Sequence, residues 1–168
     1  MRGIHPRWYI LSPYHRPSDR ILTSVVIGKR ILTADIDGTL ILWDPRSPTP
    51  LWKLNSQDGR FDLDGITSLA VNPASTVAVV GGASGGIRIV NLAKGDIVGS
   101  LAVHQEGESV EAIAFVGFAG AAEVVVTGST DGKACVWDVN TLKVRNTLEH
   151  GVSCGSFCLL MNIRLKNL

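Results

Sequence analysis

The chain has 168 residues, a formal net charge of +1, 45% hydrophobic and 18% charged side chains. That is ample core material for one ordinary folded domain and excludes a disordered chain. No run reaches the roughly 18 apolar residues a membrane-spanning helix needs. The charge is uneven. Residues 1–30 hold six Lys or Arg against Asp19 alone, whereas residues 31–150 hold eight basic and fourteen acidic side chains, a net of −6. The natural partner of that acidic part is basic.

Residues 1–20, MRGIHPRWYILSPYHRPSDR, contain three prolines and match nothing later, so they are expected to be a basic, non-repeat segment. Their Arg-rich, acid-poor composition leaves a transit peptide as a minor reading, with the cytoplasm as default and the nucleus as a second compartment. Ile21 to Val26 reads as a strand, turning at Ile27 to Arg30 into RILTADIDGTLILWD, residues 30–44. The prolines of PRSPTP then stop the strand. Leu51 to Leu54 is a short outer strand, and residues 55–65 form a polar connection with Asp58, Asp62 and Asp64.

Ile66 to Val71 opens a second unit and Asn72-Pro73 turns it. Val77 to Gly81 and Ile87 to Asn91 are its middle strands, and Asp96 to Leu101 its outer one. The connection Ala102 to Ser109 carries His104, Glu106 and Glu108. Val110 to Phe115 then opens a third unit, followed by a longer turn from Val116 to Glu123. The hairpin Val124 to Asp138 and an outer strand Val144 to Leu148 complete it. Val152 to Phe157 begins a fourth unit that is not finished, and residues 158–168 leave the pattern.

The units are copies. RILTADIDGTLILWD aligns without a gap on VVVTGSTDGKACVWD at an offset of 94 residues, and half that offset lands on VAVVGGASGGIRIVN, residues 77–91. Each copy is an apolar run, a Gly/Asp turn and a second apolar run, the pattern of a buried hairpin. Four antiparallel strands per 47 residues, with Trp-Asp closing the third, is the WD-repeat pattern of a propeller blade. The expected fold is therefore all-β: a partial propeller of about three blades over residues 21–157, with 1–20 and 158–168 outside it. Because closed propellers have about four to eight blades, the sequence reads as a fragment or altered version of a longer protein, aggregation-prone when expressed alone.

His104, Thr127 and Asp131 have the residue types of a hydrolase triad, but buried polar groups must be satisfied, and together with Trp137 they read as a structural network ending on the indole N–H. Thr33, Asp37 and Trp43 hold the matching positions of the first unit, while the middle unit has Val80, Ser84 and Val90 and relies on apolar packing. GGASGG, residues 81–86, looks like a dinucleotide-binding turn, yet IRIVNL follows it where such a turn must open a helix. Cys154 and Cys158 lack the spacing of a zinc knuckle, and three cysteines in no pattern fit a reducing compartment. No enzyme, metal, cofactor, small-molecule, direct nucleic-acid or membrane reading stands out.

In a propeller, the connections between blades and the turns between second and third strands share one face. Asp35, Asp58, Asp62, Asp64, Glu106 and Glu108 are thereby expected on one rim, a dock for Arg and Lys. Trp43-Asp44-Pro45-Arg46 also fits the WDxR ending of ubiquitin-ligase substrate receptors, which is the alternative reading.

The stretches RFDLDGITSLAVNPASTVAVVGG, GDIVGSL, GESVEAIAF and TDGKACVWDVNTLKVRNTLEH resemble the angio-associated migratory cell protein family, over about residues 28–150. Fungal members of that family are ribosome-assembly chaperones. The resemblance implies an eight-bladed propeller that binds the basic N-terminal segment of a new large-subunit ribosomal protein. It would keep that segment soluble and deliver it to the pre-60S particle.

Overall fold

The computed structural model describes residues 21–57, 59, 61–116 and 123–149. The expected segments 1–20 and 158–168, the start of a fourth unit at Val152, and the turn residues 117–122 lie outside the described residues. The rest is strand and turn, in three four-stranded antiparallel sheets. The first holds β1 (Ile21–Ile27), β2 (Arg30–Asp35), β3 (Leu40–Trp43) and β4 (Pro50–Leu54). The second holds β5 (Ile66–Val71), β6 (Val77–Gly82), β7 (Ile87–Asn91) and β8 (Asp96–Leu101). The third holds β9 (Val110–Val116), β10 (Val124–Ser129), β11 (Lys133–Asp138) and β12 (Lys143–Glu149). In each sheet the strands pair in chain order. The fold is thus all-β, part of a propeller with three blades, as the repeat requires.

The 47-residue period holds at the level of register. Leu32 pairs with Leu42, Val79 with Ile89 and Val126 with Val136. A slip of one residue would turn every side chain to the opposite face, so this agreement fixes which residues enter the core. The irregularities repeat as well. The pairing of third with fourth strand shifts at Leu42/Trp43, at Ile89/Val90 and at Val136/Trp137. Each shift leaves one extra residue on the outer strand, namely Leu51, Val98 and Arg145, and such bulges bend and twist an edge.

The middle sheet explains its own apolar runs. Ala78, Val80 and Val90 pack toward the first sheet with Leu32, Leu42 and Phe61. Val79, Ile87 and Ile89 pack toward the third with Val125 and Trp137. A strand buried on both faces needs no polar alternation, which is why Val77 to Val80 reads as a continuous apolar stretch. The first strands β1, β5 and β9 lie side by side between neighbouring sheets. The last strands face solvent, and every residue of β12 is exposed. The GGASGG stretch is the end of β6 and the turn into β7, with Gly85 at a φ of 87° and Gly81 paired opposite Ile87 within the ladder.

Candidate functional site

One end of the blades is knit into a continuous face. The β2–β3 turn sits against the connection that leads to β5, and a Cβ on Gly38 would lie 2.3 Å from the Leu63 carbonyl oxygen. That connection meets the β6–β7 turn through the Ala83 amide, which donates to the Gly65 carbonyl at 3.0 Å. The β6–β7 turn meets the next connection where the Gly107 amide donates to the Ser84 carbonyl at 3.3 Å. Finally, the Thr130 amide at the β10–β11 turn donates to the Ser109 carbonyl at 3.0 Å. Turns and connections therefore alternate along one surface.

The expected acidic residues divide on this face. Asp62, Asp64 and Glu106 are exposed, and no ion pair holds them among the described residues. Glu108 is half-buried and accepts a 2.6 Å bond from the Thr130 hydroxyl. Asp58 lies outside the described residues. Asp35 corrects the sequence reading: it is 7% exposed, and one carboxylate oxygen accepts the amides of Asp37 at 3.1 Å and Thr39 at 2.7 Å. It closes its turn as Ser129 does in the third unit, where the hydroxyl accepts the Asp131 amide at 3.2 Å. A carboxylate so engaged is not free to dock a cation.

Asp37 is the second correction. Placed in the network by its alignment with Asp131, it is instead exposed, and its carboxylate meets no partner among the described residues. Asp131 is fixed by an imidazole from the connection preceding its own sheet, and the segment preceding β1 lies outside the described residues. Asp37 thus joins the acidic face. Ile36, beside it, is 41% exposed and adds an apolar patch.

The third unit has the buried network. His104 Nδ1 lies 3.0 Å from Asp131 Oδ2 and Nε2 lies 2.9 Å from Thr127 Oγ1. An ionised carboxylate only accepts, so Nδ1 carries the proton toward Asp131 and, in the neutral ring, Nε2 accepts from Thr127. Burial pushes the Asp131 carboxyl up, but the amides of Gln105 and Lys133 and the imidazole together hold it below its ordinary value. The Thr127 hydroxyl is fully buried, so it cannot reach a substrate as a nucleophile would.

Trp137 departs from expectation: its buried Nε1 meets no acceptor among the described residues, and the network ends at Thr127. The first unit holds the complementary half, since Trp43 Nε1 donates to Thr33 Oγ1 at 2.9 Å.

A structural role escaped the sequence reading. The residue that follows the third strand's Trp or Val caps the next turn in every unit. Asp44 accepts the Arg46 amide at 3.0 Å, Asn91 the Ala93 amide at 2.9 Å, and Asp138 the amides of Asn140 and Thr141 at 3.0 Å each. The signal was present as an Asp or Asn at 47-residue spacing where a strand ends. Arg46 of the WDxR stretch binds Asp44 through Nε at 3.0 Å and Nη2 at 2.8 Å, which holds the Asp44 carboxyl down at about 2. Arg145 binds Asp138 at 2.6 Å and lowers that carboxyl likewise.

Among the described residues, no group of His, Cys, Asp and Glu has the geometry of a metal site, and no helix is long and apolar enough to cross a membrane.

The WD domain, G-beta repeat family profile matches residues 95–138. A WD repeat-containing protein of Schizosaccharomyces pombe is 37% identical over 130 residues, which cover 74% of this chain and 31% of that protein. The angio-associated migratory cell protein of Homo sapiens is 25% identical over 134 residues, 73% of this chain and 30% of the relative. Among solved structures, Sqt1 from Chaetomium thermophilum superposes with a TM-score of 0.66 at 28% identity, over 77% of this chain and 35% of Sqt1. Sqt1 bound to the N-terminus of the ribosomal protein L10 gives 0.63 at 29% identity, over 73% and 34%. The chain spans about a third of the length of these relatives.

Proposed function

The chain is a WD-repeat protein, and we propose that it is a non-catalytic binding module whose acidic face captures a basic protein segment, the N-terminus of a large-subunit ribosomal protein, as a chaperone in ribosome assembly. The observation that carries this reading is the exposure of Asp37, Asp62, Asp64 and Glu106 on one face built from turns and connections. Arg and Lys side chains bind carboxylates through charge-assisted hydrogen bonds, and a surface of one sign raises the rate at which an oppositely charged segment finds it. The likeness to Sqt1, solved with the N-terminus of the ribosomal protein L10, supports a peptide of that kind. The cytoplasm, where ribosomal proteins are made, is the corresponding place of action, with the nucleus as the place of delivery.

A solubility assay tests the chaperone role. The chain is co-expressed with a ribosomal protein that has a basic N-terminal segment, or with the same protein lacking it. The expected result is soluble recovery that rises with the chain and depends on the segment. Equal recovery with and without the segment overturns the reading.

A further inference from the structure

The loop joining β3 to β4 reads Asp44-Pro45-Arg46-Ser47-Pro48-Thr49, β4 opens on Pro50, and both hydroxyl residues of the loop are followed by proline. It lies at the end of the blade opposite the acidic face, because successive turns of a meander alternate ends. The two other units close the equivalent turn with one backbone bond. Gly95 donates its amide to the Asn91 carbonyl at 2.8 Å, and Leu142 to the Asp138 carbonyl at 2.9 Å. The repeat puts Pro48 at that position in the first unit, and proline has no amide hydrogen to give. The first unit substitutes a bond one residue earlier, from the Ser47 amide to the Asp44 carbonyl at 2.9 Å. Beyond it, among the described residues, side-chain contacts hold the loop: the hydroxyls of Ser47 and Thr49 are 3.1 Å apart, and the Thr49 amide donates to Ser47 Oγ at 3.3 Å. Thr49, Pro48 and Pro50 are exposed, and residues before proline are biased toward the extended backbone that a kinase cleft accepts.

We propose that this loop is a phosphorylation site for a proline-directed protein kinase, with Thr49 as first acceptor and Ser47 as second, and that the phosphate takes the Arg46 guanidinium from Asp44. In the transfer, the Thr49 hydroxyl oxygen forms a bond to the γ-phosphorus of a nucleoside triphosphate. The bond from that phosphorus to the bridging oxygen breaks, the diphosphate leaves with the electron pair, and the hydroxyl proton passes to the kinase's base. The product carries about −1.5 to −2 charge and three acceptor oxygens.

Arg46 is the group it meets, three residues away from Thr49 and 76% exposed. Its pair with Asp44 is a solvent-exposed one, a kind that holds weakly, while a phosphate offers the same bidentate geometry with more charge. Asp44 stays behind as the turn cap through its bond from the Arg46 amide. Modification thus turns the side chain of the WDxR stretch from one anion to another and adds negative charge to the face opposite the acidic one.

The test incubates the chain with a proline-directed kinase and ATP, maps phosphate by mass spectrometry, and follows the product by phosphorus NMR through a pH titration. The expected result is phosphate on Thr49 that Pro50→Ala abolishes and on Ser47 that Pro48→Ala abolishes. The phosphate's second ionisation falls below its ordinary value of about 6 and returns to it in Arg46→Gln. Two results overturn the proposal. One is a folded chain left unmodified under conditions that fully modify a peptide of residues 43–53. The other is a phosphate that titrates at the ordinary value with or without Arg46.

Discussion

His104 serves two buried groups at once, the Asp131 carboxylate and the Thr127 hydroxyl. Removing the ring orphans the Thr127 hydroxyl and leaves Asp131 only the amides of Gln105 and Lys133, and an orphaned buried polar group costs about 1–3 kcal/mol. His104→Ala should therefore lower unfolding stability by that order in a urea titration, while His104 variants change partner capture only through unfolding. Asp131 adds a pH dependence whose sign is fixed. Its carboxyl is held below the ordinary 3.8 in the folded chain, so the unfolded chain takes up the proton first on acidification. The stabilisation is full above the ordinary value and is lost as pH falls through the folded one. Asp131→Asn should flatten this acid limb of the stability profile, measured by denaturant midpoints between neutral and acidic pH. The residue types His104, Thr127 and Asp131 were legible from the WD-repeat pattern. The ends of the hydrogen bonds were not, because indole orientation and the choice between Asp35 and Asp37 depend on backbone geometry around a turn. A pattern that places two carboxylates two residues apart cannot say which one points inward.

The elements were legible because register and repeat agree. Expected and observed strands coincide at β5, β7 and β8 and differ by one residue at an end of β1, β4, β6 and β9 and at both ends of β12, the last extending to Lys143–Glu149. Ends are set by where the last ladder bond forms, which apolar patterning does not encode. The turns make the sharpest prediction at this scale. Gly38 and Gly85 combine positive φ with crowding, since a Cβ would lie 2.3 Å from the Leu63 carbonyl oxygen and 2.7 Å from the Gln105 carbonyl oxygen. Gly107 has a similar φ of 88° with nothing within 4 Å. Gly107→Ala should cost only the left-handed backbone penalty, about 1–2 kcal/mol. Gly38→Ala and Gly85→Ala should cost more, because each also displaces a neighbouring connection, and thermal melts of the three variants will order them.

At the scale of the whole chain, two surfaces matter. The side of β1 turned from the second sheet exposes Ile21, Leu22 and Val26, the last at 75%. Exposed apolar clusters of this sort drive association, so Leu22→Lys with Val26→Lys should reduce light scattering without lowering the melting temperature. The acidic face is the other surface, and the claim that its carboxylates carry binding is the central one. The direct measurement is a calorimetric titration of a basic ribosomal-protein N-terminal peptide into the chain at low and high salt. Wild type is compared with the triple variant Asp37→Asn, Asp62→Asn, Asp64→Asn. Asparagine suits Asp62, whose φ is 28°, so the fold is kept while the charge is removed. Exposed ion pairs contribute about 0.2–1 kcal/mol each, so losing three should weaken binding by roughly tenfold, the factor about 1.4 kcal/mol represents. Salt should weaken the wild-type complex and act less on the variant, because screening acts on the charges removed. Equal affinity for both proteins at both salt concentrations would contradict the account.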